Sequence, residues 1–269
     1  MLYKKVPLDP VHDNVYLEVY AADRVGTYTS KALLVIPGGG YSVVCADREG
    51  EPIALAFLSH GFNCFVLHYS VGGQKYFPGQ LIEASLAVQH IKDHAQEYNI
   101  DPEKVFAVGF SAGGHLAASL GALWHLPEIY EATGMPYGYN RPAGTMLIYP
   151  VISGVAEFSH VGSFRNLTGV DEPSDEVMRL CSIEQNVDER TAPTYILHTS
   201  NDQVGDVRHS LLLAAAFKAA GKEFEMHIYP DAPHGVALGN RITRCWEAKF
   251  DNPAIAKWVE NASVWADSL

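Results

Sequence analysis

The chain has 269 residues, 48% hydrophobic and 19% charged, which gives it material for an ordinary globular core and excludes a disordered or fibrous chain. A formal net charge of −12 and a pI near 5.4, with no basic run, argue against nucleic acid or an anionic membrane as the main partner. No apolar run is long enough to span a bilayer.

Met1 to Pro7 carries two lysines without an apolar stretch behind them, which reads as no secretory signal. Cys45, Cys64, Cys181 and Cys245 lack paired spacing, as expected for reduced thiols in a cytoplasmic protein. A secreted chain already processed is the alternative.

Val15 to Ala21 alternates as an opening edge strand. Ala32 to Ile36 is wholly apolar, the pattern of a strand covered on both faces of a parallel sheet, and it runs into Pro37-Gly-Gly-Gly-Tyr41. Three glycines there allow bare backbone amides to approach a ligand. Glu51 to His60 predicts a helix and Asn63 to Tyr69 a buried strand. Leu81, Ala84, Val88, Ile91, Ala95 and Tyr98 mark one face of a long helix, and Asn99 to Pro102 a turn.

Val105 to Leu120 is the most informative stretch. Gly109-Phe-Ser111-Ala-Gly113 follows an apolar strand and opens a small-residue helix, the context of a nucleophile elbow. Side chains at either glycine would meet the neighbouring strand or helix. Beyond it, Glu128 to Arg141 looks irregular and Gly144 to Tyr149 is a strand. The polar, mixed-charge segment 151–192 is either a lid or pocket wall over the sheet or a plain surface excursion. Thr194 to His198 and Phe224 to Tyr229 are strands flanking a helix from about Val207 to Ala220. Pro253 to Ala266 is a closing helix that buries Trp258 and Trp265. Strands alternating with helices, without repeats or linkers, give a doubly wound parallel sheet in one domain, 1–269.

A serine at its normal pKa needs a base, and the base needs an orienting acid. With Ser111 as nucleophile, the order serine, acid, histidine leaves His234 as the base, in the Pro- and Gly-bounded loop after the last strand. Asp202, just past the Thr194 to His198 strand, is the favoured acid. Asp206, placed as a helix cap, and Asp231, in the His234 loop, are rivals. His198 and His227 fall inside strands, and His115 reads as a satisfied helix residue. His90 and His94 have zinc-ligand spacing but no third ligand, so a solvated face is the better reading. The oxyanion would be met by amides of Ala112 and of the Gly38-Gly39-Gly40 loop, Gly39 and Gly40 foremost. No metal or organic cofactor is required. Tyr41 is either a substrate-pocket aromatic or a core-edge one. Glu49 and Glu51 are either sugar contacts or helix-start carboxylates.

With these residues in view, the chain resembles the α/β-hydrolase-fold serine esterases. The likeness is greatest to the bacterial acetyl-xylan-esterase and feruloyl-esterase-like branch near the hormone-sensitive-lipase group. It runs through Pro37 to Tyr41, Arg48-Glu-Gly-Glu-Pro52, Gly109 to His115, Asn201-Asp202 and Pro233-His234-Gly235. The resemblance implies a mostly parallel central sheet with helices on both faces, and short acyl esters as substrates, often O-acetyl groups on sugars. It implies Ser111, Asp202 and His234 as the triad. Pro37 stands where lipase relatives carry a histidine, and Gly205-Asp206 replaces their usual Val-Pro. The competing expectations are a prolyl-oligopeptidase-like peptidase and a non-catalytic binding protein on the same scaffold. A homodimer is compatible with exposed edge strands.

Overall fold

The computed structural model describes residues 1–245 and 247–269. Its strands are β1 (Leu2–Pro7), β2 (Tyr16–Ala21), β3 (Ser30–Ile36), β4 (Phe62–His68), β5 (Ile100–Phe110), β6 (Gly144–Ile148), β7 (Thr194–Thr199) and β8 (Phe224–Tyr229). They form one sheet in the order β1-β2-β4-β3-β5-β6-β7-β8. β1 and β2, and β2 and β4, pair antiparallel; every later pairing is parallel. The helices are α1 (Ala46–Glu49), α2 (Glu51–Leu58), α3 (Gly79–Asp93), α4 (Ala112–Ala122), α5 (Pro127–Thr133), α6 (Val161–Thr168), α7 (Asp175–Leu180), α8 (Arg208–Ala219) and α9 (Trp258–Asp267).

The apolar runs are continuous because both faces of the sheet are covered. Along β3, Ala32, Leu34 and Ile36 join the core under α3 and α4, while Leu33 and Val35 join the core under α2 and α9. β5 divides the same way, with Val105 and Ala107 on one face and Phe106, Val108 and Phe110 on the other. All eleven residues of α4 are buried. Its small side chains let it lie close to the centre of the sheet, where larger ones would not fit.

Three local expectations need correction. The first strand is Leu2–Pro7, and it puts Val15 to Ala21 inside the sheet rather than at its edge. In β1 alternate residues are exposed, so Tyr3, Lys5 and Pro7 sit outward and Leu2, Lys4 and Val6 are half-buried, a period-2 signal that Lys4 on the covered side obscures. The turn expected at Asn99 to Pro102 is instead the start of β5; the Pro-bearing residues appear as a register shift between Ser30↔Ile100 and Ala32↔Val105. The stretch after α4 contains α5, which starts on Pro127 and ends on Gly134 in the left-handed conformation.

Candidate active site

Ser111 sits between β5 and α4 with φ 52° and ψ −117°, a conformation that costs a non-glycine residue about 1–3 kcal/mol. Its neighbours hold it there. Its amide donates to the Ile148 carbonyl at 3.0 Å, and its own carbonyl accepts from His115 N and Val151 N, each at 3.1 Å. A Cβ at Gly109 would stand 2.1 Å from the Gly113 carbonyl oxygen, and one at Gly113 would stand 2.2 Å from that of Ile36. Both glycines are therefore steric requirements of this turn. Of the five non-glycine residues with positive φ among the described residues, four (Tyr41, Ser111, Tyr149 and Ala237) lie around this site.

The loop after β8 brings His234 over the serine. Its Nε2 is 2.8 Å from Ser111 Oγ and its Nδ1 is 2.7 Å from Asp202 Oδ2. The other Asp202 oxygen accepts the amides of Val204 and Gly205, each at 2.9 Å. Burial works to raise the Asp202 carboxyl, but His198 and His234 outweigh it and hold the group below its ordinary value. The ionised Asp202 assigns the imidazole proton to Nδ1, leaving Nε2 to accept from the serine hydroxyl. Gly205 is what lets the ring approach: a Cβ there would be 3.1 Å from it.

The rival acids are engaged elsewhere. Asp206 Oδ2 accepts from Arg208 Nη2 at 2.8 Å, and Oδ1 from the Arg208 backbone amide at 2.8 Å. Asp231 accepts from the Asn201 side chain and so braces two loops. His198 is wholly buried, bonded to Ser210 Oγ at 2.7 Å and donating to the Gly205 carbonyl at 2.8 Å. His227 pairs with Glu225. His90 and His94 stack at 4.0 Å, with His90 bonded to Tyr98 Oη, so this pair is packed rather than freely solvated.

The loop after β3 is folded back on itself. The Gly38 carbonyl accepts from Cys45 N at 3.0 Å, and the Gly39 carbonyl from Ser42 N at 3.0 Å. In a trans peptide the next amide points opposite to such a carbonyl. The N–H groups of Gly39 and Gly40 are thereby turned out of the loop, and neither they nor Ala112 N donate to a protein group among the described residues. Gly39, at φ 128°, has no room for a side chain: a Cβ would stand 2.0 Å from the Val43 carbonyl oxygen.

Residues 17–217 match the BD-FAE family, and residues 173–262 match the dienelactone hydrolase family. The chain belongs to the BD-FAE family. Its fold is that of an α/β hydrolase, and its relatives include an acetylxylan esterase. It is 36% identical to endo-1,4-β-xylanase B of Butyrivibrio fibrisolvens over 77% of this chain and 33% of that one. It is 30% identical to an acetylxylan esterase of Xylanibacter ruminicola over 78% of this chain and 42% of that one. The chain therefore matches about one third to two fifths of the length of these curated relatives. The acetyl ester-xyloside bifunctional hydrolase of Caldicellulosiruptor lactoaceticus superposes with a TM-score of 0.84, at 32% identity over 98% of this chain and 96% of that one.

In this BD-FAE chain, Tyr41 is buried rather than at the surface. It is 2% exposed, and its hydroxyl donates to His115 Nδ1 at 2.8 Å, while His115 Nε2 donates to the Cys181 carbonyl at 2.7 Å. Glu49 is no sugar contact. The carboxylate is buried, accepting the Gly38 amide at 2.8 Å and the Tyr149 hydroxyl at 3.0 Å, with Arg48 Nε 3.6 Å away. Tyr149 Oη accepts in turn from Ala237 N at 3.1 Å, and its ring lies edge-on to His234 at 5.0 Å. Sequence reading missed this link between the glycine loop and the histidine loop. Its only trace was an acid one short helix beyond the glycines, and burial cannot be read from one carboxylate.

Proposed function

We propose that this chain is a serine carboxylic-ester hydrolase that removes short acyl groups, chiefly acetyl, from sugar or xylo-oligosaccharide hydroxyls. The observation that supports the reading is the unbroken hydrogen-bond series from Ser111 through His234 to Asp202, at 2.8 and 2.7 Å. The acetyl ester–xyloside and acetylxylan activities named for its relatives support the substrate class.

In this reading Ser111 Oγ attacks the ester carbonyl as His234 Nε2 takes its proton, and Asp202 steadies the imidazolium that results. The amides of Gly39, Gly40 and Ala112 meet the tetrahedral oxyanion, each donor contributing about 3 kcal/mol to the barrier reduction. Gly38 supplies no donor, since its amide is held by Glu49. His234 then protonates the departing sugar oxygen, and water attacks the acyl-enzyme by the same route. Segment 151–192 supplies a wall of the site at Asn166, whose Nδ2 donates to the Gly40 carbonyl at 2.8 Å. A single domain and a cytoplasmic location belong to the same proposal, supported by one continuous sheet and four unpaired cysteines.

Acetate release from acetylated xylo-oligosaccharides and from p-nitrophenyl acetate tests the reading, with an acyl series from acetyl to octanoyl alongside. Turnover that falls with acyl length and vanishes in Ser111→Ala is the expected result. Turnover that survives Ser111→Ala, or none on the acetylated oligosaccharides, overturns it.

A further inference from the structure

A cleft of about 450 Å³ opens next to the glycine loop, between the segment after β4 and the second half of α6. Gly72, Gly73 and Tyr76 contribute one wall; Arg165, Asn166 and Asp171 belong to the other. Both walls are tied to the same loop. Gly72 N donates to the Tyr41 carbonyl at 3.0 Å, and Asn166 to the Gly40 carbonyl at 2.8 Å. At the far end of that loop, a Cβ on Gly38 would be 3.0 Å from Ser111 Cβ. The two residues from Gly38 to Gly40 span at most about 7 Å, so the cleft begins within reach of a substrate held at the serine.

The chemistry of the walls is specific. A Cβ added at Gly169 would stand 2.4, 2.5 and 2.6 Å from three adjoining ring carbons of Tyr76, so one face of the ring lies over the glycine. Tyr76 is nonetheless 46% exposed, leaving aromatic surface open. Arg165 Nε is 3.5 Å from Asp171 Oδ1, and the side chains are 54% and 89% exposed, so donors and acceptors remain available on both. The opposite charges offset one another. An acyl chain would leave those polar groups without partners, and an ion of either sign would meet a like charge. A pyranose ring fits all three conditions: it is uncharged, presents an apolar C–H face to an aromatic ring, and carries hydroxyls that both donate and accept.

We propose that this cleft is a sugar subsite that takes an uncharged pyranose unit of the alcohol half of the substrate, neighbouring the acylated one. The proposal rests on the sugar-ester reading above.

The test is steady-state kinetics of the full chain and of Tyr76→Ala and Arg165→Ala, on acetylated xylo-oligosaccharides and on p-nitrophenyl acetate. Each substitution is expected to raise KM on the oligosaccharide about tenfold, with p-nitrophenyl acetate kinetics unchanged. Unaltered oligosaccharide KM in both variants overturns the subsite. If the unsubstituted protein cleaves p-nitrophenyl acetate but not the acetylated oligosaccharide, the sugar-ester reading fails by itself. Unacetylated xylo-oligosaccharide is then assayed as an inhibitor of p-nitrophenyl acetate turnover: inhibition weakened by Tyr76→Ala supports the subsite, and no inhibition rejects it. Should Tyr76→Ala lower the melting temperature, Arg165→Ala at the mostly exposed Arg165 carries the comparison.

Discussion

The Gly38 amide donates to the buried carboxylate of Glu49 at 2.8 Å and ties the start of the glycine loop to α1. Through Tyr149 the same carboxylate reaches Ala237, three residues beyond His234. Burial pushes the Glu49 carboxyl up, while Arg48, the Gly38 amide and the Tyr149 hydroxyl pull it back down. Glu49 thus acts as a positioning residue for two loops.

Glu49→Gln weakens a charge-assisted hydrogen bond worth about 1.5–3 kcal/mol. The expected result is kcat on p-nitrophenyl acetate lowered roughly 10- to 100-fold with KM little changed. An equal rise in KM with kcat intact would place Glu49 in substrate binding instead. Glu49→Ala leaves the buried amide and hydroxyl unpaired and is expected to lower the melting temperature as well.

Asp202 and Asp206 separate cleanly by substitution. Asp202→Asn removes the acceptor that fixes the His234 tautomer, and kcat should fall by about 10⁴-fold. Asp206→Asn loses only a contact with Arg208 at a partly exposed site, so its kcat should stay within about twofold of the parent. Comparable losses in the two variants would contradict the assignment.

Gly113→Ala tests the elbow sterics. The added methyl would meet the Ile36 and Pro37 carbonyl oxygens at 2.2 and 2.4 Å, which are backbone atoms in and next to a central strand. Destabilisation of about 3 kcal/mol or more is expected, read as a lower denaturant midpoint, with activity lost in the folded fraction. A variant as stable and active as the parent would mean that the turn is looser than drawn.

Acid stability depends on His115. Burial lowers its pKa from the ordinary 6.5 to about 4, so the folded protein keeps it neutral where the unfolded chain already takes up a proton. Unfolding is therefore favoured as pH falls from 6.5 towards 4, and stability is flat with respect to this group above that range. The contribution is on the order of 3 kcal/mol across the window. Buried His209, lowered to about 4 as well, acts in the same direction. His115→Gln should flatten the slope of denaturant midpoint against pH between 6.5 and 4.5; an unchanged slope would remove His115 as a cause.

The chain's own order carried much of this protein. Apolar runs at β3, β5 and β7 marked a sheet covered on both faces, because a strand with two buried faces has no polar side to show. Gly109 and Gly113 around Ser111 marked the elbow, since sterics there tolerate no side chain. Only the folded arrangement shows that His234 bonds Asp202 while Asp206 bonds Arg208, because both follow β7 closely and the difference lies in where each carboxylate points. The same holds for Tyr41, Glu49 and Tyr149. Whether an aromatic or an acid faces solvent or core depends on what distant segments lay against it, and a single stretch of sequence holds no record of that. The pairing of Tyr76 with Gly169 across 93 residues is likewise a product of the packing, in which a bare backbone makes room for a ring that local pattern leaves unexplained.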